Sequence, residues 1–183
     1  MPKTMLPLGA EEYWEPFRLD PVMRTRGGRY TMVLARLAPG DGRAQYEYAW
    51  MLAFVRRYAE AVDPIERSMK LQPGHIESIR AATIIYQLIK RDADALRVSL
   101  AGARLGDSIS MFDLFDLYAE GRGTAKDEKQ AFLWLVKAAE TGHVAAMDRL
   151  ADVFLNGGLG RAPDADKAVE WATKARLARN GKL

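Results

Sequence analysis

Apolar residues in the C-terminal half recur at helical spacing, and the recurrence happens twice. Leu114 and Tyr118 stand four residues apart, one face of a helix, and Ala131, Trp134 and Ala138 continue the spacing on a second. Between them Gly121 and Gly123 supply the backbone freedom needed to end one helix and reverse the chain. Asp127 followed by Gln130 has the spacing of a helix N-cap and its capping box. The frame then repeats with Leu150, Phe154, Gly157, Gly160, Asp164, Ala168, Trp171 and Ala175. The period is about 36 residues before the glycine loop and one more after it, a length that signals stacked supersecondary units. Each such hairpin has an apolar face that it cannot cover alone, so neighbours must stack.

This pattern resembles the Sel-one-like repeat family, a relative of the tetratricopeptide repeat, most closely at Lys126-Asp127, Trp134 and Ala138-Ala139-Glu140 through Gly142-His143. Departures are Phe115 and Ala151, where the family usually has Gly, and Arg176 in place of a second Ala, which points the last helix at solvent. Residues 42–73 resemble ordinary tetratricopeptide units more weakly through Ala49, Leu52, Tyr58, Ala61, Ile65 and Pro73. A shift of 34 gives Thr83, Tyr86, Asp92, Ala95, Ser99 and Asp107, a degenerate second unit. The resemblance implies an all-α fold, a right-handed α-solenoid of helical hairpins. Its parts are an N-terminal capping segment over 1–40, two degenerate hairpins over 41–107 and two Sel-one-like repeats over 108–183, forming one continuous domain.

Pro64 would fall inside the second helix of the first unit, costing about 3 kcal/mol if held in mid-helix. Asp63-Pro64-Ile65-Glu66 reads instead as an N-cap, a first-position proline and a capping-box Glu, so a kink or a restarted helix is expected at Asp63. Upstream, Asp20-Pro21 is expected to start a short helix that Gly27-Gly28 breaks, and residues 30–37 to form a helix covering the open end of the first hairpin.

Composition narrows the chemistry. No cysteine is present, which excludes disulfides, thiolate metal sites and cysteine nucleophiles. The net charge of +3 is spread along the chain rather than gathered on one segment, unlike a dedicated phosphate-binding domain. No apolar run approaches the ~18 residues of a membrane span, and the first residues lack a signal-peptide block, so a cytoplasmic protein without membrane contact is expected. His75 and His143 both follow a glycine-containing turn and lack ligand spacing; they read as turn or N-cap residues. The glycine loops look like phosphate loops but show no G-x-x-x-x-G-K-[ST] and follow no strand. Asp164 is explained as a helix cap and Asp113 as a solvent-facing residue, and no serine or threonine sits in a nucleophile elbow. The chain is therefore not expected to be an enzyme or to carry a metal or other cofactor.

What remains is surface. Carrying the tetratricopeptide groove offsets onto this chain selects Tyr46, Trp50, Ala53 and Phe54, then Arg80, Ile84, Gln87 and Leu88, then Phe112, Asp116, Asp148 and Asp152. Tyr46, Trp50 and Phe54 form one aromatic stripe along a helix, which is either core beneath residues 1–40 or a partner-contacting surface. Aromatic residues at one end and acidic ones at the other suit a protein or peptide with an apolar anchor and basic groups. The resemblance implies a bacterial protein–protein interaction scaffold or adaptor. An immunity or inhibitor protein of a toxin or secreted effector is the alternative. RNA binding fits less well, because no base-reading residue recurs at groove positions and two of them are Asp. Neither the partner nor the oligomeric state is legible.

Overall fold

The computed structural model describes the backbone of residues 26–181 and the side chains of residues 30–181. Among these, nine α-helices and one isolated bridge between Gly158 and Arg161 make up the regular structure. Two compact units divide the chain, one up to Ser78 and one from Ile79 onward.

The first unit contains α1 (Arg26–Leu37), α2 (Gly42–Phe54), α3 (Tyr58–Leu71) and the first residues of α4 (Ile76–Leu88). Met32, Val33 and Ala35 of α1, Ala44, Ala49 and Leu52 of α2, and Ala61 and Ile65 of α3 are all buried, and α2 lies against both α1 and α3. The buried Gln45 side chain donates to the Ala35 carbonyl at 2.7 Å, which ties α1 to α2 with a polar bond inside an apolar contact. Asp41 caps α2 by accepting from the Arg43 and Ala44 amides.

Two expectations for this unit change. Gly27-Gly28 lie within α1 rather than breaking a helix. Pro64 does not restart one either, for α3 begins at Tyr58 and continues through it, and Asp63 is an exposed mid-helix residue. The helix begins earlier because Arg57 reaches forward to the first-turn Glu60, its Nε donating to Glu60 Oε1 at 2.7 Å. It continues because Ala61, Val62, Pro64, Ile65 and Ser68 form one buried face. That apolar stripe outweighs the hydrogen bond Pro64 cannot make. Asp20-Pro21 lies outside the described residues.

The second unit comprises the rest of α4, then α5 (Asp92–Arg104), α6 (Ser108–Glu120), α7 (Glu128–Glu140), α8 (Val144–Asn156) and α9 (Ala165–Arg179). Helices α6 to α9 enclose Leu114, Phe115, Leu135, Ala138, Ala139, Ala146, Met147 and Leu150. Truncating one of the buried leucines to Ala would cost on the order of 2–5 kcal/mol. Small residues bring backbones close: a Cβ on Gly102 would stand 2.2 Å from Ser110 Oγ, so α5 and α6 meet there without room for a methyl group.

The repeat is visible as paired geometry. Gly121 takes a left-handed conformation after α6, and the loop is closed by the Asp127 amide donating to the Tyr118 carbonyl at 3.0 Å. In the next unit the Asp164 amide donates to the Phe154 carbonyl in the same way. Asp127 caps α7 by accepting from the Lys129 and Gln130 amides, and Asp164 caps α9 through Lys167. Lys137 sits over the Trp134 ring and Lys174 over Trp171, each at 4.3 Å. Helix α9 buries only Ala168 and Ala175 fully, and Arg176 is exposed, as expected of a last helix.

Candidate binding faces

On α2 the aromatic stripe divides. Tyr46 is half-buried and meets the His75 ring edge-on at 5.2 Å. Trp50 is 46% exposed and Phe54 81% exposed. The residues that hold α2 in place, Ala44, Gln45, Ala49 and Leu52, occupy other positions of the helix. Trp50 and Phe54 thus stand outside the buried set of the described residues; most of the segment 1–40 expected to cover the stripe lies outside those residues.

Beneath Tyr46 lies a feature the sequence did not single out. The buried Ser68 hydroxyl donates to the Gly42 carbonyl at 2.7 Å and stands 2.7 Å from the buried Ser78 hydroxyl. Ser78 Oγ is in turn 2.6 Å from His75 Nδ1, while Glu77 approaches His75 Nε2 at 3.4 Å. The Ser–His–Glu grouping has the composition of a nucleophilic triad but not its access. Ser78 is fully buried, and His75 Nδ1 also accepts from the Ser78 amide, so the group works as the start of α4.

In the second unit the selected residues separate. Arg80 is committed to Asp107: its Nε donates to both carboxylate oxygens at 3.2 Å. Asp107 is buried, caps α6, and accepts from the Ser110 amide at 2.9 Å and its hydroxyl at 2.7 Å. Burial alone would raise its pKa; the bonds from Arg80 and Ser110 outweigh that and hold it below the usual carboxylate value. Phe112 stacks on the ring of His143 at 4.7 Å, and His143 caps α8 by accepting from the Ala146 amide. Burial depresses the His143 pKa, with Arg80 acting in the same direction and Asp107 opposing. Ile84 and Leu88 are exposed, and Gln87 is half-buried.

Asp113 is not the solvent-facing residue expected. It is half-buried, and its pKa is pushed to about 6 by burial first, then by Asp116 and Asp107, against the pull of Arg122 and Arg80. Burial and Glu120 likewise raise Asp116, with Arg122 and Arg149 opposing. The structure thus brings Asp113 and Asp116 together on α6. Asp148 is drawn into an ion pair with Arg179 at the end of α9, and Asp152 is exposed. Among the described residues no group of three His, Asp or Glu side chains is placed to hold a metal ion, and no helix is long and apolar enough to cross a membrane.

Residues 108–143 and 144–179 each match the Sel1 repeat. The chain carries two Sel1 repeats. A Sel1 repeat protein from Oxalobacter formigenes superposes with a TM-score of 0.63 at 21% identity, covering 80% of this chain and 60% of that one. The protective antigen c5321 of uropathogenic Escherichia coli, which displays the same kind of repeat fold, gives 0.64 at 23% identity over 80% of this chain and 32% of its own. MamA from Desulfovibrio magneticus, residues 41 to the end, gives 0.61 at 19% identity and covers 96% of this chain and 98% of that one. This chain spans 60% of the Oxalobacter protein and about a third of the antigen. A comparison with curated protein sequences finds no match. At these identities the likeness is one of fold, and it bears out an all-α helical-repeat architecture.

Proposed function

We propose that the protein is an interaction scaffold and that Trp50 and Phe54 of α2 anchor its protein partner. The observation that carries this is their exposure, 46% and 81%, four residues apart on one helix whose other apolar residues are packed. Large aromatic side chains held on a rigid helix lose little entropy on binding and dominate many interfaces. The acidic residues Asp113 and Asp116 on α6 and Asp152 on α8 favour a basic protein segment over nucleic acid, whose phosphates they repel. The adaptor acts in the cytoplasm and performs no chemical step.

The test is affinity enrichment from the native cell with the wild-type chain and a Trp50→Ala/Phe54→Ala variant. Exposed positions of this kind change stability by about 0.5 kcal/mol or less, so both proteins should melt alike. Loss of one specific partner from the variant supports the assignment. Retention of every wild-type partner by a folded variant refutes it.

A further inference from the structure

Within the second unit, α4 and α6 run the same way with α5 behind them. At one end Gly102 of α5 lies between Ile79 of α4 and Ser110 of α6, a Cβ on it standing 3.0 Å from Ile79 Cγ2. Midway, Thr83 Oγ1 of α4 is 3.2 Å from Ser99 Oγ of α5. At the other end the Gly123 turn after α6 closes on the Asp92 backbone, where α5 begins just after α4 ends. Arg80 bridges the pair, bonding Asp107 at the start of α6 and lying close enough to Asp113 to lower its pKa.

One and two turns beyond Arg80, on the same side of α4, stand Ile84 and Leu88, 43% and 49% exposed. Beside them on α6 are Asp113 and Asp116, whose spacing of three residues puts their Cβ atoms about 5–6 Å apart. Asp107, Asp127 and Asp164 cap helices, and Asp94 and Asp148 pair with arginines. Asp113 and Asp116 differ. Both are half-buried, yet among the described residues neither takes part in a hydrogen bond or an ion pair. Carboxylates partly withdrawn from water without a donor are stabilised by any cation brought to them.

We propose that this face docks an extended segment of a partner protein, an apolar residue covering Ile84 and Leu88 and a neighbouring arginine or lysine meeting Asp113 and Asp116. Charge complementarity selects this occupant. A purely apolar segment would bury the two carboxylates further without pairing them, and an acidic segment or a nucleic acid would be repelled. The proposal rests on the scaffold reading above and adds the chemistry of the partner at a face separate from the α2 anchors. Docking also displaces a proton. Burial, Asp116 and Asp107 push Asp113 to about 6 against Arg122 and Arg80, so near pH 6 much of it is the carboxylic acid. The arriving cation favours the carboxylate and sends that proton to the buffer.

The probe is acetyl-Leu-Gly-Arg-Gly-Arg-amide, because alternate side chains of an extended peptide share one side about 7 Å apart, close to the carboxylate spacing. Titrated into the full chain at pH 7.5 and followed by amide chemical shifts, it should give saturable shifts at Ile84, Leu88, Asp113 and Asp116. Acetyl-Leu-Gly-Gln-Gly-Gln-amide should bind about tenfold more weakly. Asp113→Asn/Asp116→Asn should lose about tenfold for the arginine peptide and nothing for the glutamine peptide, and Ile84→Ser should weaken both. Calorimetry at pH 6 in buffers of different ionisation enthalpy should show proton release on binding by wild type and none by Asp113→Asn, a readout that a merely structural role for Asp113 does not move. Trp50→Ala/Phe54→Ala should bind the peptide as wild type does, so this face and the α2 anchors succeed or fail separately. Absence of saturable shifts, equal affinity for the glutamine peptide, or unchanged affinity in the double Asn variant refutes the docking face. Self-association of the wild type that the peptide disperses makes a second copy the occupant and overturns the stated partner.

Discussion

Replacing Asp107 by Ala removes three things at once. It deletes the α6 N-cap, it deletes the acceptor for the Ser110 amide and hydroxyl, and it leaves Arg80 without its carboxylate. The lost cap is worth about 1 kcal/mol. The ion pair joins a buried carboxylate to an Arg side chain that is 37% exposed, so its solvent-screened contribution is again about 1 kcal/mol rather than the several expected of a fully buried pair. Together these give a loss of about 2 kcal/mol, or roughly 4–8 °C in the melting temperature of a chain this size. Urea denaturation followed by circular dichroism at pH 7 measures it. A double-mutant cycle with Arg80→Met should return a coupling of about 1 kcal/mol. Because the Asp107 pKa is lowered in the folded state, its stabilisation is present above the unfolded value of 3.8 and is lost as pH falls through the lower folded value. The gap between wild type and Asp107→Ala should therefore hold from pH 7 to above 4 and close below that. A loss under about 0.5 kcal/mol, or additive effects of the two substitutions, would show that the pair does not hold α4 to the start of α6.

Asp113 has the opposite sign. Its pKa of about 6 lies above the ordinary 3.8, so the favourable protonated form is fully present below 3.8 and lost as pH rises through 6. Asp113→Asn should stabilise the protein by about 1–3 kcal/mol at pH 8 and by nothing near pH 4, read from melting curves at both. His143 must be neutral at Nδ1 to accept from the Ala146 amide, and its pKa is depressed, so the stability it adds is present above 6.5 and lost as pH falls below that. His143→Asn keeps a cap at every pH and should gain about 1 kcal/mol on wild type between pH 7.5 and 5. A Cβ on Gly123 would stand 2.3 Å from the Asp92 carbonyl oxygen with φ at +72°, whereas Gly160, at φ +70°, has nothing within 4 Å. Gly123→Ala should cost about 2–4 kcal/mol and Gly160→Ala about 1 kcal/mol in the same denaturation assay.

The hairpins of the C-terminal half were legible because each signal in them is local. Asp127 and Asp164 cap the helices that follow them, and Gly121 ends the helix before it, as spacing alone predicts. Pro64 misled because its local signals describe a helix start, whereas the buried face from Ala61 to Ser68 is a tertiary fact that only packing reveals. Asp113 misled for a related reason. Its neighbours in sequence show Asp116 but not the burial that is the larger cause of its raised pKa. For the binding residues, helical offset placed Trp50 and Phe54 on one face but could not say which side of the face is covered. It also could not foresee that Arg80 and Asp148 are engaged by Asp107 and Arg179.

The buried hydroxyls have a consequence for how such a chain can change length. Ser68 is matched to the Gly42 carbonyl and to Ser78, and Thr83 lies 3.2 Å from Ser99, so each of these helices carries half of a lock whose key sits on a particular neighbour. Copying the α2–α3 hairpin would set Ser68 beside a second α2 instead of beside Ser78, and the contact between the two hydroxyls would be lost at the new junction, at a cost of about 1 kcal/mol. The junction of α7 and α8 is built from Leu135, Ala138, Ala139, Ala146, Met147 and Leu150, which any further copy of the same unit can meet equally well. Growth or shrinkage by whole repeats is thus permitted at the C-terminal junction and resisted upstream, and a library of tandem duplications would show survivors clustered there.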